Sequence, residues 1–170
     1  MISWNNLLPS IYGESEDDNY KRLDFLNWLG LSPSTLPASL GKEIKLIDNY
    51  RSKSSKAICK LYPIDIECIV GTSHSAYGNK SIVQIFRSLK RAPYYCPKIV
   101  NESTFLWESI GKDQLELDIA PVKAFETATL PGCFSLTNGN HRVIITMLIY
   151  YTRPDLLPDW FDGQVYVDIR

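Results

Sequence analysis

The chain has 170 residues, of which 45% are hydrophobic and 22% are charged, and its net charge at pH 7 is −1. This composition excludes a disordered or fibrous chain and predicts one globular domain with room for a small appendage. The balanced total charge favours no class of partner, so an anion-binding surface has to arise from local clusters of basic residues. The four cysteines form no Cys-x-x-Cys pair, which argues against a zinc ribbon.

The first 60 residues are predicted to form a helical, aromatic appendage (residues 1–60) that packs on a core domain of residues 61–170. Residues 18–30 place apolar side chains at helical spacing, and Gly30 suits the end of a helix. Residues 31–41 contain two prolines and three serines, which is typical of a loop. Aromatic side chains favour packing of this region against the core: Trp4, Tyr12, Tyr20, Phe25 and Trp28.

The N-terminal sequence MISWNNLLPS lacks both a basic start and a long apolar run, so no secretory signal is expected. The longest apolar run, residues 143–151, is shorter than the about 20 residues that cross a bilayer. We therefore expect a cytoplasmic protein with reduced cysteines and no membrane span.

Residues 61–70 begin the predicted core domain and alternate apolar with polar side chains. This pattern predicts a strand with Asp65 and Glu67 together on one face. Residues 71–79, GTSHSAYGN, follow as a loop, and loops after strands often carry functional side chains such as His74.

Residues 80–91 place apolar side chains at helical spacing, and Pro93 is expected to end this helix. Residues 94–100 are predicted to form a short strand, which Pro97 restricts to an edge or to the start of a strand. Three further strands are predicted near residues 115–125, 133–137 and 164–169. The order of elements predicts a mixed α+β domain with interspersed helices.

Two stretches of the chain contain basic residues and no acidic ones. Residues 68–101 contain Lys80, Arg87, Lys90, Arg91 and Lys98. Residues 51–64 contain Arg51, Lys53, Lys56 and Lys60. Such clusters are usually solvated faces, and the alternative is an anion-binding surface.

The junction Asn-Gly-Asn-His-Arg at residues 138–142 lies between the strand at residues 133–137 and the apolar run 143–151. Asn138-Gly139 is a favoured hairpin dipeptide, and the run that follows is rich in β-branched residues. However, this run does not alternate and is long for a strand, which favours a buried helix. Both interpretations stand on the sequence alone.

If a helix follows, each residue type at the junction suits a bound phosphate. Asn138 or Asn140 can cap the helix, and Gly139 permits a positive φ and a close approach of ligand to backbone. The first-turn N–H groups favour an anion, and Arg142 adds a fork of donors. His141 can donate to a phosphate or carry a proton near neutral pH. Alternatively, Arg142 pairs with a carboxylate such as Asp118, and His141 is only a satisfied polar residue.

The order of these pieces resembles the ParB/sulfiredoxin superfamily, whose core leads from a strand through a Gly-x-(His/Arg)-Arg turn into a buried helix. The resemblance covers residues 61–170. The matching pieces are residues 64–69 (IDIECI), the helix at 80–91, residues 97–100 (PKIV), residues 134–149 (FSLTNGNHRVIITMLI) and residues 165–169 (VYVDI).

The resemblance implies that Asn138, Gly139, Asn140, His141 and Arg142 form a turn that binds the phosphates of a nucleotide. Sulfiredoxins place a catalytic cysteine where this chain has Asn140, so reduction of a sulfinic acid is not expected. The superfamily includes nucleotide-hydrolysing ATPases, nuclease-like proteins and plasmid-borne fertility inhibitors of the Osa type, which block conjugative transfer. ATP or another nucleotide and Mg²⁺ are the implied cofactors.

The leading hypothesis is therefore a nucleotide- or DNA-phosphate-hydrolysing enzyme. In addition to the turn, Ser73 and His74 are expected to contact phosphate, and His74 and His141 to serve in proton transfer. Asp65 and Glu67 are the predicted Mg²⁺ ligands, with Glu67 also orienting water. For both carboxylates the alternative is an exposed strand face.

A second hypothesis is a non-catalytic inhibitor on the same fold. The basic helix at residues 80–91 or the aromatic N-terminal segment would then bind a partner protein of a transfer or secretion system. A third is a DNA-binding module without cleavage, for which binding depends steeply on salt.

Overall fold

The structure of the chain is a computed structural model that describes residues 15–47 and 57–170. The described residues form a mixed α+β domain, as predicted, with five α-helices and a seven-stranded sheet. The strands are β1 (Glu43–Leu46), β2 (Cys59–Asp65), β3 (Ile69–Thr72), β4 (Lys80–Ser81), β5 (Lys123–Glu126), β6 (Phe134–Asn138) and β7 (Gln164–Ile169). The helices are α1 (Glu16–Trp28), α2 (Ile82–Ser88), α3 (Ala92–Asn101), α4 (Thr104–Ile110) and α5 (Asn140–Thr152).

The sheet has the strand order β2-β7-β5-β6-β3-β1-β4. Its centre is parallel, because β3 pairs in parallel with both β6 and β1. The register pairs Ile69 with Phe134 at one end of the β3–β6 pair and Thr72 with Leu136 at the other. The carboxyl ends of β3 and β6 therefore lie at the same edge of the sheet.

The N-terminal segment contributes to this sheet and to its core. Strand β1 lies between β3 and β4, and Phe25 and Leu26 of α1 are buried in the same core as the residues after 61. Helix α1 begins after Ser15, whose side chain accepts a hydrogen bond from the Asp18 N–H, and its end is followed by Gly30 at a φ of +72°. The predicted boundary at residue 60 thus separates parts that share one sheet, while Trp4 and Tyr12 lie outside the described residues.

Helix α5 is the apolar centre of the domain. Every residue from Val143 to Ile149 is buried, and the helix packs against α2 and α4. Full burial of an apolar side chain of this size contributes about 1.5–3 kcal/mol, which explains why β-branched residues here form a helix despite their propensity. The helical interpretation of residues 143–151 is confirmed, and the hairpin interpretation is wrong.

Two predicted strands are wrong. Residues 61–70 do not form one strand, because Ile66–Cys68 turn in a 3₁₀-helix that separates β2 from β3. Residues 94–100 belong to helix α3, which begins at Ala92 and contains Pro97. Pro93 lies in the first turn of this helix instead of ending the previous one, since the first turn of a helix tolerates proline. The piece at residues 97–100 therefore does not match the strand that the resemblance implied.

The other predicted elements are correct in kind, except that Lys80–Ser81 form β4 instead of the first residues of a helix, and β1 was not predicted. Strand β7 has the predicted bounds, β6 begins one residue after the predicted start, and β5 falls at the end of the region predicted near residues 115–125. Helix α2 is shorter than predicted and ends at Ser88. Among the helices of the described residues, none combines the length and the hydropathy needed to cross a membrane.

Candidate functional site

A cavity of about 570 Å³ opens at the sheet edge where β3 and β6 end. We call it the turn cavity. In α/β sheets, ligands bind outside the carboxyl ends of the parallel strands, so its position alone makes it a candidate site. Its walls come from the loop after β3, the start of α3, the segment before β5 and the start of α5: His74, Tyr77, Arg91, Tyr95, Asp118, Ile119, Ala120, Thr137, Asn138, Gly139, Asn140, His141 and Arg142.

Gly139 makes the turn between β6 and α5. Its φ is +83°, and a Cβ added there would lie 2.9 Å from Val122 Cγ2. A side chain at this position is therefore opposed both by the backbone conformation and by the neighbouring segment. This glycine lets the chain turn within one residue, so that α5 begins directly at the edge of the sheet.

The start of α5 has no side-chain cap among the described residues. The prediction that Asn138 or Asn140 caps the helix is wrong, because both side chains have other partners. Asn138 Nδ2 donates to the Pro121 carbonyl at 2.9 Å, and Asn140 Oδ1 accepts from Thr72 Oγ1 at 2.9 Å. The backbone N–H groups of the first turn, which have no partner within the helix, are left for a ligand of the turn cavity.

Thr72 connects the loop after β3 to the turn. Its hydroxyl donates to Asn140 and accepts from the His74 N–H at 3.1 Å, and the side chain is buried. His74 is exposed, and its Nδ1 accepts from the Ala76 N–H at 3.3 Å. This bond directs the proton of the neutral imidazole to Nε2, which remains available to a ligand.

Three rings follow one another along this wall of the turn cavity. His74 stacks on Tyr77 with ring centroids 4.3 Å apart, and Tyr77 meets His141 edge to face at 5.9 Å. The contacts fix both imidazoles relative to the start of α5, and burial raises the pKa of Tyr77, which stays neutral.

His141 is neutral at physiological pH. Its pKa is lowered to about 4, mainly by burial, with neighbouring Arg91, His74 and Arg142 acting in the same direction. Its Nε2 is buried and has no hydrogen-bond partner among the described residues. A protonated His141 is therefore disfavoured unless an anion enters the turn cavity.

Arg142 has a structural role that the sequence did not predict. Its Nη1 donates to the Ser109 carbonyl and its Nη2 to the Ala120 carbonyl, both at 2.6 Å. It does not pair with Asp118, which lines the same cavity. The guanidinium thus joins α5 to the end of α4 and to the segment before β5, while its charge remains at the wall of the turn cavity.

Arg91 is the cation of the turn cavity that sequence reasoning did not single out. It is exposed, and within the described part of the chain its side chain makes no hydrogen bond or ion pair. Together with Arg142 it gives the cavity two guanidinium groups against one carboxylate, Asp118, among the described lining residues. The feature of the sequence that points to Arg91 is the basic stretch at residues 68–101. Two further residues of the site, Thr72 and Tyr77, lie in the loop at residues 71–79, which was predicted to carry functional side chains.

The remaining predicted site residues lie elsewhere. Asp65 and Glu67 precede β3, whereas the turn cavity lies beyond its carboxyl end, so a metal ion held by these two carboxylates would not reach a phosphate at the turn. The Glu67 carbonyl accepts from Lys42 Nζ, and Asp65 lines a different cavity of about 430 Å³. Ser73 Oγ donates to the Leu136 carbonyl.

No cluster of three or more metal-ligating side chains occurs within residues 15–47 and 57–170. Comparison of the chain with protein-family models, with curated proteins and with solved structures found no match.

Proposed function

We propose that the turn cavity binds the phosphate groups of a nucleotide or of DNA, as expected for a ParB-like protein. One observation carries the proposal: the uncapped start of α5 opens into a cavity with two guanidinium groups and a single carboxylate. Helix N-termini bind anions through free N–H groups and the helix dipole, and planar guanidinium groups suit phosphate oxygens.

The residues of the turn cavity have different roles in the proposed binding of phosphate. The N–H groups of Asn140, His141 and Arg142 contact phosphate oxygens, and Arg91 closes on the phosphate from the solvent side. Arg142 holds the turn in place through its two carbonyl contacts and adds positive charge. Asn140 is held by Thr72 and keeps the turn aligned with the end of β3.

The leading hypothesis for chemistry at this site is hydrolysis of a phosphate bond in ATP or DNA. His74 Nε2 can donate a proton to a leaving oxygen, since its Nδ1 already accepts a hydrogen bond. Neutral His141 lies in the first turn of α5 and can accept a proton once an anion offsets its burial. A single carboxylate together with phosphate oxygens and water suits Mg²⁺, so Asp118 would hold this ion, which neutralises phosphate charge when bound.

A second candidate function is nucleotide or DNA binding without cleavage, in a protein that inhibits a partner of a transfer or secretion system in the cytoplasm. It is favoured by the position of Asp65 and Glu67, which lie away from the turn cavity. In that case the turn cavity binds phosphate without hydrolysing it, and another surface of the protein binds the partner.

Calorimetric titration with ATP tests binding, with Arg91→Ala as the variant and Lys90→Ala as its matched control. Both side chains are exposed neighbours, but only Arg91 lines the turn cavity. Loss of a charge-assisted contact is expected to weaken binding about tenfold in Arg91→Ala and to leave Lys90→Ala unchanged. Equal weakening in both variants, or no binding by the wild-type chain, would overturn the proposal.

Phosphate release from ATP and nicking of plasmid DNA, each measured with and without Mg²⁺, separate the two candidate functions. Activity that is lost in His74→Gln while ATP binding is kept supports hydrolysis. Binding without turnover under all of these conditions supports the non-catalytic function.

A further inference from the structure

A second cavity, of about 500 Å³, lies beside the carboxyl end of α4 and has no part in the phosphate site. We call it the indole cavity, because Trp107 and Trp160 line it together with Tyr166 and Pro158. Its volume is within the range of about 300–1,000 Å³ that is typical of small-molecule binding sites.

The two indole rings are placed by different means. Trp107 is 5% exposed, donates from Nε1 to Ser103 Oγ at 3.1 Å and contacts the Phe161 ring at 5.8 Å. Trp160 is 52% exposed and lies over Gly111, where an added Cβ would approach its Cη2 to 3.2 Å. The φ of Gly111 is −84°, so its backbone does not require glycine, and the missing side chain instead makes room for the indole and for the Trp107 carbonyl, whose oxygen an added Cβ would approach to 3.1 Å.

The charged residues of the indole cavity leave it negative. Glu108 and Asp113 supply two carboxylates against the single ammonium group of Lys112. Within the described residues neither carboxylate makes an ion pair or a side-chain hydrogen bond. An aromatic wall and unneutralised carboxylates thus share one cavity.

We propose that the indole cavity receives an arginine side chain of a partner protein. The faces of indole rings attract organic cations, and carboxylates bind a guanidinium group in a fork geometry. Arginine suits both features better than lysine, because its planar group stacks on a ring while its N–H donors face the carboxylates. This site selects a cation, whereas the turn cavity selects an anion, so each proposal can fail without the other.

NMR titration of the full chain with a capped arginine, N-acetyl-arginine N-methylamide, tests the proposal at constant ionic strength. The indole N–H signals of Trp107 and Trp160 report on binding, and each is assigned from its loss in a Trp→Phe variant. We expect saturable shifts of both signals at millimolar concentrations. Capped citrulline, which has the same shape and no charge, is expected to bind about tenfold more weakly.

A matched pair of double variants tests the carboxylates. Glu108→Gln with Asp113→Asn removes two charges from the indole cavity, and Glu102→Gln with Glu116→Gln removes two exposed charges that do not line it. The first is expected to weaken binding of capped arginine about tenfold, and the second to change it less than about twofold. Gly111→Ala is expected to weaken binding by displacing Trp160 while leaving all charges in place.

Three results would overturn the proposal: no saturable shift of either indole signal, equal binding of capped citrulline, or equal weakening by both double variants. Tighter binding of free arginine than of the capped form would also overturn it, since a partner's side chain carries neither free terminus. ATP binding in the turn cavity is expected to be unaffected by the Glu108/Asp113 variant, which separates failure here from failure of the proposed function.

Discussion

Gly139 shows how one residue without a side chain shapes the phosphate site. Gly139→Ala is expected to lower the free energy of unfolding by about 2–5 kcal/mol, from about 1–2 for the left-handed backbone and about 1–3 for overpacking. The overpacking arises at Val122, whose Cγ2 and Cα would lie 2.9 and 3.2 Å from the new Cβ. Urea denaturation measures the change.

Gly132 provides the control for this prediction. Its φ of +76° is similar, but an added Cβ meets no atom within 4 Å. Gly132→Ala is therefore expected to cost only the backbone contribution, about 1–2 kcal/mol. Equal destabilisation by the two variants would show that packing against Val122 does not constrain the turn.

His141 makes the stability of the fold depend on pH. The folded protein binds a proton at this ring only near pH 4, whereas the ordinary pKa of 6.5 describes the unfolded chain. As the pH falls from 6.5 to 4 the unfolded state takes up the proton first, so stability decreases over this window and no further below it. After allowance for partial exposure of the ring, the loss is about 1–2 kcal/mol.

Denaturation of the wild type and of His141→Gln at pH 7 and pH 4.5 measures this contribution. The variant is expected to lose about 1–2 kcal/mol less than the wild type on acidification. Lys90→Ala, which changes an exposed residue outside the turn cavity, is expected to behave like the wild type. If His141→Gln lost as much stability between pH 7 and pH 4.5 as the wild type, the pH dependence in this range would not arise from His141.

At the scale of elements, Arg142 connects α5 with α4 and with the segment before β5. Arg142→Ala is expected to destabilise the fold by about 3 kcal/mol, because the Ser109 and Ala120 carbonyls lose a charged donor. Arg142→Lys is expected to lose part of this stability, since a single ammonium group does not reproduce the two parallel contacts of the guanidinium group. Lys90→Ala, an exposed basic residue, is expected to leave the free energy of unfolding unchanged within about 0.5 kcal/mol.

Helix α3 contains two prolines, which are expected to affect the stability of the helix very differently. Pro93 lies in the first turn, where a missing N–H is harmless, whereas Pro97 lies in the interior and removes a helical hydrogen bond. Pro97→Ala is expected to raise the free energy of unfolding by about 1–3 kcal/mol, and Pro93→Ala to change it little or to lower it. Chemical denaturation of both variants measures the change in the free energy of unfolding. Destabilisation by Pro97→Ala would contradict the interpretation that this proline costs the helix a hydrogen bond.

The same helix shows what the sequence does and does not predict at this scale. Pro93 indicates the end of a helix and Pro97 a strand edge or strand start, yet Ala92, Cys96 and Ile99 are all buried and recur at helical spacing. Burial of that face outweighs the cost of Pro97. The alternation at residues 61–70 is equally misleading, because Ile64 and Ile66 are both buried although a 3₁₀-helix separates the strands.

At the scale of the whole molecule, the parallel pairing of β3 with β6 decides which predicted site residues meet. His74 and the junction at residues 138–142 follow the carboxyl ends of these strands and share one cavity. Asp65 and Glu67 precede β3 and lie away from it. Local sequence marks the junction as a turn but leaves a hairpin and a helix start open, and the burial of residues 143–149 decides for the helix.

The partners of the junction are not predictable in that way. Arg91 and Asp118 come from segments distant in the chain, and the carbonyl contacts of Arg142 follow from the packing of α5 against α4. Which of these distant segments are neighbours in space depends on the strand order, and the local sequence does not reveal that order. The sequence therefore predicts the turn at residues 138–142 but not the cavity around it.

The most direct test of phosphate binding is an amide NMR titration of the full chain with ATP. We expect the largest shifts at the N–H signals of Asn140, His141 and Arg142, because a bound phosphate accepts hydrogen bonds from the first turn of α5. Inorganic phosphate is expected to shift the same signals more weakly. Shifts that are absent from residues 140–142, or that are largest away from the turn cavity, would contradict the central claim.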